Sequence, residues 1–141
     1  MLRINENSRI LVLGTGLIGS AFLRLFISKN YKEVIAVNRR NIDLTDTNET
    51  INFFKNVKPQ YVINAAGKVG GIIANRDYPA DFIVENLSIQ MNVIKAAHQV
   101  GTERLIFFAS SCMYPKKTLQ PMKEDTLLTG KPEETSVSSY L

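Results

Sequence analysis

Short apolar runs, separated by polar segments rich in turn-forming residues, dominate the pattern of this chain. Four such runs occur, at Ile10–Leu13, Val34–Val37, Tyr61–Asn64 and Leu105–Phe108. Uncharged runs of this length are typical of strands in a parallel sheet, where both faces are covered. The pattern therefore predicts four strands, and it predicts that the run at Leu105–Phe108 is buried on both faces.

The segments between these runs have helical spacing instead. Helices are predicted at 20–29, 46–55 and 79–100, and Pro79 and Gly101 suit the start and stop of the longest one. Strands that alternate with helices through short links predict an α/β fold, a Rossmann-type doubly wound parallel sheet with right-handed crossovers. The strand order expected for four such strands is 3-2-1-4.

After Pro115 the chain is polar and irregular as far as Leu141, and no fifth strand is predicted. The run at Leu105–Phe108 would then lie at an edge of the sheet, although exposed apolar edges are normally avoided. We therefore expect residues 1–141 to be the amino-terminal part of a larger Rossmann domain, without its later strands and substrate domain. The alternative is that a partner chain covers this edge.

Composition narrows the class of protein. With 45% hydrophobic and 21% charged residues among 141, the chain has the composition of one globular domain. The net charge of +4 comes from scattered basic residues, which favours a phosphorylated ligand over nucleic acid. A single cysteine excludes an internal disulfide, the apolar runs are too short for a membrane span, and no signal peptide is evident. A cytoplasmic protein is predicted.

The loop after the first predicted strand has the spacing of a dinucleotide-binding motif. Its glycines are Gly14, Gly16 and Gly19, with Thr15, Leu17 and Ile18 between them, and a predicted helix follows. In that context Gly14 permits a tight turn, Gly16 a close approach of the backbone to a pyrophosphate, and Gly19 close packing of helix on strand. The alternative is a purely structural turn.

The end of the second strand indicates which nicotinamide cofactor binds. An acidic residue here favours NAD, whereas arginine favours the 2′-phosphate of NADP. The sequence reads Asn38-Arg39-Arg40 and has no acidic residue before Asp43. NADP is therefore favoured over NAD, with Asp43 and Leu44 bordering the adenine, unless both arginines are merely solvated.

Hydroxyl and thiol groups follow the fourth strand. Ser110, Ser111 and Cys112 lie where open α/β sheets bind ligands, although serine here is often a turn residue and a lone cysteine is often simply buried. By itself, Tyr140 reads as an exposed tyrosine and His98 as a helix-surface residue. With one histidine and one cysteine, the sequence has almost no support for a metal site.

Longer motifs resemble one family. The segments Ala65–Asn75, Tyr78–Ile83, Ala96–Gln99, Ser110–Lys116 and Gln120–Met122 are similar to GDP-L-fucose synthases, which are extended short-chain dehydrogenases/reductases. These enzymes use NADPH to convert GDP-4-keto-6-deoxy-mannose to GDP-L-fucose by two epimerisations and a reduction. The resemblance runs in order across nearly the whole chain.

The resemblance implies roles for individual residues. Ser110 would hydrogen-bond the sugar carbonyl, Cys112 would be the acid/base group of epimerisation, and Tyr140 would donate a proton to the developing alkoxide. Cofactor contacts would come from Ala65, Ala66 and Gly67, and substrate contacts from Lys68, Val69, Gly70 and Ser111. The long helix at 79–100 would support a homodimer.

The chain departs from the family pattern in three ways. It ends one residue after Tyr140, so the lysine four positions later and a second epimerisation residue, a histidine, are absent, and the glycine loop is one residue shorter. We therefore expect residues 1–141 alone to be inactive. Two alternatives remain: a non-catalytic nucleotide-binding or dimerising protein, and a related enzyme for another GDP-sugar, such as a GDP-6-deoxy-heptose.

Overall fold

The computed structural model describes residues 4–132. It contains four strands, β1 Ile10–Leu13, β2 Val34–Val37, β3 Tyr61–Asn64 and β4 Arg104–Phe107. Every neighbouring pair is parallel and in continuous register. The predicted parallel Rossmann-type sheet is therefore confirmed, with the first three strands at their predicted bounds and β4 one residue earlier.

Four helices connect and follow these strands: α1 Leu17–Ser28, α2 Thr47–Val57, α3 Ile72–Asp77 and α4 Pro79–Gln99. The Asp46 side chain caps α2 by accepting a hydrogen bond from the Glu49 amide at 2.8 Å. The short helix α3 was not predicted. Within residues 4–132 no helix is both long and apolar enough to cross a membrane.

The predicted strand order was wrong. The sheet runs β2-β1-β3-β4, so the third strand pairs with β1 instead of lying outside β2. The burial of the strands explains the observed order, because the two strands with the most buried apolar residues lie at the centre of the sheet. All four residues of β1 are fully buried and β3 is buried at Val62 and Ile63, whereas β2 is mostly half-buried and tolerates the edge.

The prediction that the fourth run is buried on both faces was also wrong. In β4 exposed and half-buried residues alternate, and Ile106 is 50% exposed. This is the pattern of a strand with one covered face. Among the described strands β4 forms an edge, as was expected for a chain with no fifth strand.

The two faces of the sheet carry separate hydrophobic clusters. Leu11 and Leu13 of β1 point to one face, where Phe54 of α2 and Val93 of α4 pack. Ile10 and Val12 point to the other face, where Phe26 of α1 packs. Because successive β1 side chains point to opposite faces of the sheet, helices pack on both faces, and this arrangement defines a doubly wound fold.

The chain divides into two compact units. Of the described residues, the first unit, which we call the sheet unit, comprises 4–67 together with Ser88–Phe108. The second, the loop unit, comprises Lys68–Leu87 and 109–132. All four strands and both hydrophobic clusters belong to the sheet unit.

Candidate cofactor and substrate site

The loop after β1 turns sharply because Gly14 adopts a φ of +87°. A Cβ atom at Gly14 would lie 2.6 Å from the carbonyl oxygen of Ala65, so both backbone conformation and space require glycine here. At Gly19, in the first turn of α1, a Cβ atom would collide with the Gly14 carbonyl oxygen. These two glycines therefore allow β1, α1 and the loop after β3 to approach closely.

Gly16 lies in a different environment. A Cβ atom there would meet nothing within 4 Å. Gly16 is also the N-cap of α1 and has no side chain to cap the first amides of the helix. Such amides lack partners within the helix and attract anions. Leu17 is 88% exposed and Ile18 is 43% exposed, so the loop offers both open space and hydrogen-bond donors.

The turn after β2 is held by asparagine side chains. The Asn38 Oδ1 atom accepts a hydrogen bond from the Arg40 amide at 2.9 Å, and the Asn41 side chain accepts one from the Asn38 amide at 2.9 Å. The Asn38 Nδ2 atom donates to Thr15 Oγ1 at 3.1 Å, which joins this turn to the glycine loop. Arg39 and Arg40 are exposed on the turn.

Asp43 and Leu44 follow that turn with opposite orientations. Asp43 is exposed, and its carboxylate accepts hydrogen bonds from the Thr45 hydroxyl at 2.7 Å and the Thr45 amide at 2.9 Å. These two bonds, with attraction from Arg39, hold the pKa of Asp43 below its usual value. Leu44 is buried in the core, so its side chain packs inward rather than outward toward a ligand.

The carboxyl ends of the strands are joined beyond the sheet. The Gly14 amide donates to the Val37 carbonyl at 2.8 Å, and the Ala65 amide donates to the Leu13 carbonyl at 2.8 Å. Asn64, at the end of β3, accepts a hydrogen bond from the Ala66 amide at 3.2 Å through Oδ1. Its Nδ2 atom is buried and has no partner among the described residues. The loops after β1, β2 and β3 thus form one connected rim.

In the loop unit, two buried asparagines clamp the segment that begins at Lys68. Asn86 accepts a hydrogen bond from the Lys68 amide at 2.7 Å and donates one to the Lys68 carbonyl at 3.0 Å. Asn75 donates to the carbonyls of Gly70 and Gly71 at 3.0 and 3.1 Å. Between these clamps Val69 remains 90% exposed. The backbone of the predicted substrate segment is therefore held while the Val69 side chain faces outward.

The Lys68 side chain is also positioned. Its ammonium group pairs with the Glu85 carboxylate at 3.2 Å and lies 5.4 Å from the centre of the Phe82 ring. Both side chains of the ion pair are largely covered, which strengthens the attraction relative to an exposed pair.

The predicted catalytic residues Ser110 and Cys112 lie in one short turn of the loop unit. Ser110 Oγ accepts a hydrogen bond from the Cys112 amide at 3.1 Å, which leaves the hydroxyl proton available to donate. Ser111 is exposed, and Cys112 carries an exposed free thiol. Tyr140 lies outside the described residues.

Sequence reasoning missed the asparagines that support these loops, namely Asn64, Asn75 and Asn86. A signal was available for Asn86, because it occupies a position of α4 that the helical period places among buried residues. A polar residue on such a face normally has a hydrogen-bond partner. Asn64 and Asn75 have no comparable signal.

The chain is similar in sequence to several known proteins. The model of the NAD dependent epimerase/dehydratase family matches residues 10–140. A GDP-L-fucose synthase from Sinorhizobium fredii is 46% identical over 132 residues, covering 93% of this chain and 42% of that protein. GDP-L-fucose synthase 1 from Arabidopsis thaliana is 44% identical over 133 residues, covering 94% and 41%.

Solved structures are similar as well. GDP-mannoheptose C4 reductase from Campylobacter jejuni, solved with NADP bound, superposes with a TM-score of 0.90 at 34% identity. The match covers 96% of this chain and 43% of that one. The chain thus spans about two fifths of the length of the curated relatives it matches.

Proposed function

The chain belongs to the NAD dependent epimerase/dehydratase family, and from this we propose that it forms the amino-terminal, cofactor-binding part of an NADP-dependent GDP-sugar epimerase/reductase of the GDP-L-fucose synthase type. The observation that carries the proposal is the rim of the sheet unit. There the open Gly16 and the uncapped start of α1 follow Thr15, whose hydroxyl accepts a hydrogen bond from Asn38 in the turn that carries two arginines.

The residues present fit a dinucleotide. At Gly16 a side chain would occupy the open space in front of the helix amides, so glycine keeps that space for a pyrophosphate. Arg39 and Arg40 would hold the 2′-phosphate of NADP, whereas Asn38 replaces the acid that selects NAD. Ala65, Ala66 and Gly67 would line the same rim. When bound, NADPH supplies a hydride.

The loop unit contains the groups proposed to handle the sugar. Ser110 would donate its free hydroxyl proton to the ketone oxygen. Cys112 would remove a proton from the carbon next to that ketone, which the carbonyl acidifies, and a partner acid would add a proton to the opposite face of that carbon. Ser111 and the clamped segment Lys68–Gly70 would contact the GDP-sugar. We assign to Tyr140 the proton donation to the developing alkoxide.

The proposed homodimer uses α4. Met91 and Ile94 lie on its outer side, 67% and 52% exposed. Exposed apolar residues on one long helix suit a contact with a second copy. With its single cysteine, the chain suits the reducing cytoplasm, where we propose that it works.

Calorimetric titration of the 141-residue chain with NADP and with NAD tests the cofactor. We expect tighter binding of NADP. Replacing Arg39 and Arg40 together by alanine should weaken NADP binding by about tenfold or more, because charge-assisted hydrogen bonds to the phosphate are lost. The matched control replaces Lys117 and Lys123, two exposed lysines of the loop unit, and should leave the affinity unchanged.

Two results would count against the proposal. Equal affinity for the two nucleotides would remove the assignment of NADP. If neither nucleotide gives heat, the cofactor role fails, and a dimer detected by sedimentation would then favour a protein that only pairs.

A further inference from the structure

The link between the glycine loop and the arginine turn consists of one side-chain hydrogen bond. Asn38 Nδ2 donates to Thr15 Oγ1 at 3.1 Å across 23 positions of sequence. Both residues are partly buried. The bond joins the loop proposed to bind the pyrophosphate to the turn proposed to bind the 2′-phosphate.

The direction of this bond follows from the backbone. Asn38 Oδ1 accepts a hydrogen bond from the Arg40 amide at 2.9 Å. If the carboxamide were rotated by half a turn, its NH₂ group would face that N–H, and two donors would oppose each other. The carboxamide therefore keeps its orientation, and the Thr15 hydroxyl oxygen must accept from Nδ2.

Asn38 also shapes the turn itself. In addition to the side-chain bond from the Arg40 amide, the backbone carbonyl of Asn38 accepts hydrogen bonds from the Asn41 amide at 2.8 Å and the Ile42 amide at 3.2 Å. Arg40 is thus fixed at its backbone by Asn38, and Asn38 is fixed to the glycine loop by Thr15. A displacement of Asn38 would move both exposed arginines relative to that loop.

We propose that Asn38, held by Thr15, is the positioning residue that selects NADP over NAD. It sets the separation between the two phosphate-binding elements so that the arginines meet a 2′-phosphate while the pyrophosphate lies at α1. The inference rests on the proposed function and adds to it a positioning role for the hydrogen bond between these two side chains.

Three variants separate geometry from charge. Thr15→Val keeps the shape of the side chain and removes the acceptor, so it breaks the link without changing charge. Thr15→Ser restores the hydroxyl. Asn38→Asp keeps both bonds, because the carboxylate still accepts from Arg40 and the Thr15 hydroxyl can reverse and donate, but it adds a negative charge beside the 2′-phosphate.

The measured quantity is the ratio of NADP to NAD affinity, from calorimetric titration of the 141-residue chain. Thr15→Val should lower the ratio by about three- to tenfold, the range that one hydrogen bond gives. Thr15→Ser should restore it, and Asn38→Asp should lower it by about tenfold or more through repulsion. Thr129→Val, the same change at an exposed position of the loop unit, should leave it unchanged.

A link with only a structural role gives a different result. When such a link is broken, the affinities for NADP and for NAD fall in proportion and their ratio does not change. That outcome in Thr15→Val would overturn the inference and would leave the proposed function unaffected. Hydrogen exchange of the Arg40 amide should rise in Thr15→Val without any nucleotide present. If the unaltered chain binds neither nucleotide, both the proposed function and this inference fail.

Discussion

The sheet unit and the loop unit are stabilised by different interactions. In the sheet unit, two hydrophobic clusters pack on the two faces of the sheet. In the loop unit, Phe82 is the only buried hydrophobic residue among residues 4–132, and the buried polar side chains are Asn75 and Asn86. The proposed cofactor rim is thus supported by apolar packing, whereas the proposed substrate segment is supported by hydrogen bonds.

This difference predicts how each unit responds to mutation. Apolar packing is cooperative, so loss of volume in the sheet unit should lower the free energy of unfolding of the whole unit. A clamp by one asparagine is local, so its loss should open one segment.

Phe54→Ala should give the largest loss of stability. Phe54 is fully buried in the cluster beneath α2, so truncation leaves a cavity that its neighbours fill only in part. We expect the free energy of unfolding to fall by about 3–5 kcal/mol, measured by urea denaturation. Phe82→Ala in the loop unit is the matched change and should cost clearly less. Equal losses would show that the two units do not differ in this way.

Gly19→Ala should have the next largest effect. The added Cβ atom would collide with the Gly14 carbonyl oxygen, so α1 or the loop must shift, at an expected loss of about 1–3 kcal/mol. Gly16→Ala is the control, because its Cβ atom meets no neighbour. Thermal unfolding should separate the two, and a stable Gly19→Ala protein would argue against close packing of α1 on the loop.

Asn86→Ala and Asn92→Ala compare the two units along a single helix. Both asparagines are buried on α4, but Asn86 bonds the backbone of Lys68, whereas Asn92 donates to the carbonyls of Leu44 and Thr45, both at 3.0 Å. Each substitution leaves backbone groups unpaired, at about 1–3 kcal/mol.

Hydrogen exchange distinguishes the two results. For Asn86→Ala we expect faster exchange at the Lys68 amide and unchanged exchange at Val12 in the sheet. For Asn92→Ala the sheet amides should exchange faster as well, because the bond fastens the core helix. Faster exchange at Val12 in both variants would mean that the units unfold together.

The same contrast explains what the sequence could predict. The bounds of β1, β2 and β3 could be predicted because a short uncharged run that ends at polar residues is typical of a strand. The order of the strands could not be predicted, because an apolar run indicates burial and does not indicate which strands are neighbours. The run of β2, for example, is apolar although β2 lies at an edge of the sheet.

The residues of the candidate site also differ in how far the sequence could predict them. The glycine loop was recognisable because steric demands at Gly14 and Gly19 leave a fixed spacing in the sequence. The bonds from Asn38 to Thr15 and from Asn86 to Lys68 join residues 23 and 18 positions apart, and side-chain hydrogen bonds at such separations leave no period. Helix α3 was missed because it has only six residues, too few for an apolar helical period to be recognised.

The smallest expected effect comes from Asp43, an exposed polar contact of the sheet unit. Hydrogen bonds from Thr45 lower its pKa below 3.8, so the folded state favours the charged carboxylate more than the unfolded state does. The resulting stabilisation is present above that value and is lost as the pH falls through the pKa of the folded state.

Asp43→Asn keeps an acceptor for Thr45 but cannot titrate. The difference in unfolding free energy between the two proteins should be below about 1 kcal/mol, because the group is exposed to solvent. In urea denaturation it should be constant from about pH 5 to 7 and shrink toward pH 3. A difference that grows with acidity would reverse the assigned sign, and one comparable to that of Asn86→Ala would mean that exposed and buried polar contacts contribute equally here.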